Sequence, residues 1–254
     1  MKLLKEERIG QIRINKDNYE AECINYINAN KIVFKFSDGE TGTTTWSHFD
    51  KGEFKYKKIP NEYGGINSNI HKVYHNGKIS KEYDTWRGVL ERSTETPYYT
   101  YENVTICKEW LIYDNFYDWL HNESNFNKWI NMPRSSIDKD IIKYNKIYSP
   151  ETCFLVPHSV NCLFTKSDSL RGLFPIGVYY KKDSEKFVAQ CHNPKRGMQD
   201  FCGYYNNPQD AFYLGYKPYK EKLIKQIAQE EYDKGNITKR CYDAMMKYEV
   251  EITD

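Results

Sequence analysis

The sequence predicts an α+β protein built in three parts. Three observations carry this expectation. Runs with strand-like alternation of apolar residues open the chain and return near its end. Segments with apolar side chains at helical spacing fill the middle. A long helical segment with its own start signal follows the last strand-like run.

Residues 1–60 read as a small β module. In "YEAECINYINANKIVFKFSDGETGTTTWSHFDKGEF" strand-like pieces fall at 21–27 and 31–36, with "NAN" as the turn between them and "SDGE" as the next turn. The alternation in "KIVFKF" makes one apolar and one basic face. Trp46, Phe49 and Phe54 are expected to close the core of a three- or four-stranded meander or small barrel. Residues 61–80, "NEYGGINSNIHKVYHNGKIS", are rich in Gly, Asn and Ser and read as a linker or long loop.

Residues 81–170 form the second part. "KEYDTWRGVLERS" places Tyr83, Trp86, Val89 and Leu90 on one helical face. Val104 and Ile106 alternate in an extended piece. "IYDNFYDWLHNESNFNKWI" then reads as one helix, with Phe116, Trp119 and Leu120 at helical spacing. In the third part, 171–254, "PIGVYYKKDSEKFVAQCHN" reads as a hairpin with "KKDSEK" at its tip. A helix follows in which Asn207 is the expected N-cap and Pro208 the first helical residue. "ITKRCYDAMMKYEV" reads as a last amphipathic helix.

A chain of 254 residues is long enough to bury a core and to hold two or three small domains. Thirty-seven Lys and Arg against thirty-five Asp and Glu leave a net charge of +2. No whole-chain electrostatic case for nucleic acid follows, so any such case rests on local patches. The plainer reading of the twenty-three tyrosines is AT-rich codon usage with core packing, and a surface role is the alternative. Seven cysteines, an odd number without a CxxC pair, point to reduced thiols in a cytoplasm. No apolar run approaches ~18 residues, so no membrane span is expected.

The stretch "SSIDKDIIKYNKIYSPETCFLVPHSVN", residues 135–161, is the most informative. It contains "IDKDI", then Asn145 and Lys146, then "YSPETC", then Val156, Pro157 and Asn161. "YDTWRGVLERS" and "VTICKEWLIYDNFYDWL" precede it. In order and spacing these blocks resemble the phage-encoded, free-standing homing-type HNH endonuclease-like proteins. The N-terminal "ERIGQIRINKDNYEAECINYINANKIVFKFSDG" resembles a β module often found ahead of them. "GVYYKKDSEKFVAQ" with "GYYNNPQDAFYLGYKPYKEKLIKQIA" is similar to an Apetala-type DNA-binding module of three strands and a helix. The resemblance covers nearly the whole chain. It implies a central ββα-metal core with flanking helices and a C-terminal three-stranded sheet plus helix.

An HNH site is a hairpin and helix gripping one divalent metal. A His acts as general base on water, an Asn orients it, and a second His or Asn on the helix helps to hold the metal. The resemblance implies catalytic positions at Asp138, Lys139, Asp140 and Asn145. It implies metal positions at Asp138, Asp140, His158 and Asn161, for Mg²⁺ or Mn²⁺. The active core reads roughly Asp-His-Ile, and Lys139 stands where the His would fall. A lysine at its reference pKa of ~10.4 keeps its proton at neutral pH, and flanking carboxylates reinforce that. The base is therefore expected to be absent and the activity lost or weak. His158 and Asn161 form an i, i+3 pair on one helical face. The same residues admit a plainer reading, in which Asp138 and Asp140 turn the chain, Asn161 caps a helix and His158 is exposed. His71, His75 and His121 are alternative bases that no pattern favours. Cys107 and Cys153 lie in the two blocks, but Ser93 stands where the family has a third Cys, so structural zinc is not expected.

The Apetala-like module would lay its sheet in the major groove of duplex DNA. Arg171, Tyr179, Lys181, Lys182, Lys186, Lys195 and Arg196 are its candidate contacts. Tyr179 and Phe187 stand where a Trp is more typical, which argues against base-specific reading. Two functions stay open at this point. One is a phage or mobile-element DNA-binding protein with a degenerate nuclease core. The other is a non-catalytic protein-binding factor, such as a phage inhibitor of a host defence complex, for which near-neutral charge and many Tyr are suited.

Overall fold

The structure, a computed structural model, describes residues 5–56, 61–68, 70–94, 101–165 and 172–252. It is α+β and divides into two compact units, Met1–Asn61 with Ile66–Asn69, and Glu62–Gly65 with Ile70–Asp254.

The first unit contains α1 (Lys5–Arg8), β1 (Ile12–Ile14), β2 (Glu20–Asn28), β3 (Lys31–Phe36), β4 (Thr41–Thr44) and α2 (Trp46–Asp50). The four strands form an antiparallel meander in chain order. Alternation turns Ile32, Phe34 and Phe36 of β3 inward with Ala21, Cys23 and Tyr26 of β2. A bulge after Cys23 keeps Tyr26 on the inner face despite the odd spacing. Phe49 and Phe54 close this core, with Trp46 packed at its margin.

In the second unit, part of the expected linker is a tight hairpin. β5 (Tyr74–His75) pairs with β6 (Lys78–Ile79) through Asn76 and Gly77, both at positive φ. α3 (Lys81–Ser93) follows, with Ser80 accepting from the Tyr83 amide as its cap. Trp86, Val89 and Leu90 of α3 are fully buried, and the Trp86 indole donates to the Trp110 carbonyl at 2.7 Å. β7 (Thr105–Ile106), α4 (Tyr113–Asn122) and α5 (Phe126–Asn131) come next.

The single helix expected over 112–130 is thus two helices. Glu123 breaks it with extended backbone, φ −68° and ψ 128°. Asn125 holds the break open, because its buried side-chain amide donates to the carbonyls of Leu155 and Asn236, both at 2.8 Å. Lys81 caps the end of α5 by donating to the carbonyls of Trp129, Ile130 and Met132.

The remaining elements are β8 (Ser135–Asp138), β9 (Ile147–Tyr148), β10 (Phe154–Pro157), α6 (His158–Phe164), β11 (Val178–Lys181), β12 (Lys186–Asn193), β13 (Met198–Tyr205), α7 (Pro208–Asp210), α8 (Lys217–Asp233) and α9 (Lys239–Met246). Asn207 caps α7 from the residue before Pro208, and a π-helical stretch, Ala211–Tyr216, carries α7 into α8. β10 lies between two cores. Phe154 and Val156 join Val160, Leu163, Ala189, Phe212, Ile224 and Met245, whereas Leu155 joins Trp86, Trp110, Phe116 and Trp129. Residues 81–170 and 171–254, read from sequence as two parts, therefore share a continuous apolar interior. Arg240 of α9 donates to the carbonyls of Glu151 and Cys153, each at 2.6 Å, and lies over the Phe154 ring. Among the described residues no helix is long and apolar enough to cross a membrane.

Candidate functional site

β8 pairs antiparallel with β10, from Ser135 opposite Pro157 to Asp138 opposite Phe154. α6 begins directly after Pro157, which stands at its N-cap position, and the His158 amide still donates across to the Arg134 carbonyl at 3.2 Å. The resulting strand, strand, helix order positions every residue singled out around 138–161.

Asp138 ends β8 and turns the chain. Its Oδ1 accepts from the amides of Asp140 at 2.8 Å and Ile141 at 2.9 Å. The carboxyl is buried, and burial first, then the Asp140 charge, pushes its pKa up to about 7. Lys139 is 6 % exposed, and its Nζ lies 2.6 Å from Asp140 Oδ1 and 5.7 Å from the centre of the Tyr148 ring. Asn145 closes the loop from both ends, donating to the carbonyls of Lys139 and Ile147 and accepting from the Ile147 amide. Its neighbour Tyr144 sits at φ 58°, a left-handed conformation that a bulky side chain seldom adopts, and its ring is exposed.

These side chains do not fit a divalent cation as they stand. Asp138 is committed to two backbone amides, and the Lys139 ammonium lies against Asp140. His158, the expected helix ligand, pairs its Nε2 with Cys162 Sγ at 3.4 Å. Among the described residues no three His, Cys, Asp or Glu side chains are grouped to hold a metal.

Asp138, Lys139, Asp140, Asn145 and Asn161 instead line one cleft of about 790 Å³. Its other charged residues include Arg87, Arg92, Lys143 and Lys146, against Asp84 and Glu91. Arg92 Nε donates to the Tyr148 hydroxyl at 3.0 Å, so Arg92 and Lys139 both stand against the buried Tyr148. Arg87 and Arg92 lie in α3 and were not legible as site residues, because the helix pattern marks only its buried face.

The second set of candidates lies on the β11–β12–β13 sheet. Register places Tyr179 opposite Val188 and Val188 opposite Tyr204, so these three share a face. Lys181 opposite Lys186, and Gln190 opposite Phe201, fall on the same face, away from Ala189 and Cys191, which enter the core. Tyr179, Phe201 and Tyr204 are 41, 60 and 52 % exposed. Lys181 donates to the Tyr204 hydroxyl at 3.4 Å, which raises the lysine's pKa. Lys182 sits in the 3₁₀ turn after β11. Lys195 and Arg196 belong to the turn at the far end of β12 and are engaged there. Lys195 pairs with Glu230, and Arg196 lies 2.6 Å from Asp200. Arg171 lies outside the described residues. Phe201 and Tyr204 were missed from sequence, because strict alternation puts residues three apart on opposite faces and only a bulge in β13 brings these two onto one.

Comparison of the chain with protein-family models, with curated proteins and with solved structures returns no match.

Proposed function

We propose that this chain is a phage or mobile-element DNA-binding protein whose HNH-like core has lost its general base and holds duplex DNA with little or no cleavage. The observation that carries the reading is the cleft beside the β8–β10 hairpin. It gathers Arg87, Arg92, Lys139, Lys143 and Lys146, against Asp84, Glu91, Asp138 and Asp140, around the positions where a nuclease would place its base and metal, with Lys139 paired to Asp140 and Lys143 to Glu251. Cations on cleft walls attract phosphate, and counterion release makes such binding strongly salt-dependent. The Lys139–Asp140 ion pair supports the loss of the base, since an ammonium has no lone pair to take a proton from water. The lysines on the sheet give a further place for phosphate contact.

A second reading, binding of a host protein complex, is supported by exposed apolar side chains on the first unit, Ile12 and Ile14 of its edge strand β1. One titration separates the two. Duplex DNA is titrated at rising salt, with Mg²⁺ present and products followed in the same tubes. Salt-sensitive binding without cleavage is expected. Cleavage would mean that another group serves as base, and no binding at low salt would turn the search to a protein partner.

A further inference from the structure

We propose that the solvent face of the β11–β12–β13 sheet is a stacking platform for single-stranded DNA, resting on the DNA-binding reading above. Three rings on one face, two of them inclined at 59° to each other, are the first ground. Tyr179 and Tyr204 flank Val188 in one row across the strands, and Phe201 lies in the next, its ring centre 5.0 Å from that of Tyr204. Val188 is buried although it does not join the core on the helix side, so the flanking side chains cover it. The rings themselves remain partly open to water, so a planar partner can lie against them.

Charge is the second ground. Lys181 and Lys186 face each other across β11 and β12, and Lys181 also reaches the Tyr204 hydroxyl. Rings with lysines beside them match a strand whose bases stack while its phosphates run past the ammonium groups. The third ground separates single strands from duplex. A duplex hides the faces of its bases and offers edges, which arginine forks read best. β11, β12 and β13 contain no arginine. The nearby Arg196 is tied to Asp200. The remaining polar residues of the face, Gln190, His192 and Gln199, are suited to the exposed edges of unpaired bases.

The test uses the full chain and a labelled oligothymidine of about 15 nucleotides, a length matched to known site sizes. A duplex and an oligouridine of equal length run in parallel. The oligothymidine is expected to bind more tightly than the oligouridine, and its binding, not that of the duplex held in the cleft, is expected to depend on the rings. Phe201→Ala and Tyr204→Ala should each weaken it by roughly tenfold or more, while Tyr204→Phe retains binding because the ring survives. All three variants alter exposed side chains, and unchanged thermal melts would confirm that the fold is kept. Tighter duplex binding, lost in the same ring variants, would overturn the single-strand proposal yet leave DNA binding standing. Preference for oligouridine would overturn it in favour of RNA. Absence of binding to both DNA forms would remove the proposal together with the reading beneath it.

Discussion

The Lys139 ammonium stands 2.6 Å from the Asp140 carboxylate, at the position to which the proposed HNH-like reading assigns a general base. Restoring the imidazole alone is not expected to restore the reaction. Asp138 is bonded to two backbone amides, and His158 is paired with Cys162, so the residues that the same reading would assign to a metal are engaged elsewhere as well. Lys139→His should therefore nick supercoiled plasmid no faster than the parent in Mg²⁺ or Mn²⁺. A clear gain would show that a metal site assembles around a single substitution, and the core would then be one residue from activity.

Asp138 gives a stability prediction with a definite sign. Its carboxyl, 3.8 when free, is raised to about 7 in the folded chain, chiefly by burial. The folded state binds this proton more tightly than the unfolded one. The group's contribution is fully present below about pH 4, is lost as pH rises towards 7, and above that the buried charge costs on the order of 4 kcal/mol. Asp138→Asn keeps an oxygen for the amides of Asp140 and Ile141 but carries no proton to lose. The variant should gain stability relative to the parent at pH 8, and the gain should shrink towards pH 4. Denaturant melts at both values check this, and an equal difference at both would place the carboxylate in water.

Much of this architecture was legible because it depends on local signals. β3 and α3 span the residues that their alternation and helical spacing marked, and Asn207 with Pro208 begins a helix as capping chemistry requires. The break between α4 and α5 was not legible. Phe116, Trp119 and Leu120 keep helical spacing up to it, and the bonds that sustain it run from Asn125 to Leu155 and Asn236, distant in sequence. The candidate site divides in the same way. Positions 138–145 lie in one continuous motif, whereas Arg87 and Arg92 reach the cleft only through packing of α3. The fates of Lys195 and Arg196 depend on Glu230 and Asp200, and no periodicity announces such pairs.

Asn125 should prove one of the more sensitive positions in the second unit. Its side-chain amide serves one buried carbonyl, that of Leu155, and one part-buried carbonyl, that of Asn236, at 2.8 Å each. Asn125→Ala leaves both unsatisfied and should cost roughly 2–5 kcal/mol in chemical denaturation. Asn125→Asp is expected to be no better, since a carboxylate would face the same carbonyls. A cost well under about 1 kcal/mol would mean that water replaces the amide.

Gly177 precedes β11 with φ 71°, and a Cβ there would lie 2.1 Å from the Tyr216 ring and 2.7 Å from the Gln190 carbonyl oxygen. Gly177→Ala combines backbone strain with overpacking and should lower stability by roughly 2–4 kcal/mol. Adding Tyr216→Ala removes the ring clash. The double variant should therefore lose less than the two single losses together, a coupling that a double-mutant cycle reads. Strict additivity would show that the clash is relieved by movement of the strand.

The two ends of β12 should respond differently to charge removal. The strand is eight residues long, so its ends lie about 23 Å apart along the extended chain. At one end Lys181 and Lys186 lie on the solvent face. At the other, Arg196 lies against Asp200, whose carboxyl is held below its usual range by the Tyr219 hydroxyl, then by Asn193 and Arg196. Changing Lys181 and Lys186 to Gln should flatten the salt dependence of oligothymidine binding by roughly 0.7 in slope for each phosphate no longer neutralised. Changing Lys195 and Arg196 to Gln should leave that slope unchanged and lower thermal stability instead, because their partners Glu230 and Asp200 would stand without their cations. A flattened slope in the second pair would mean that both ion pairs open to phosphate, and the DNA path would then run the full length of the strand.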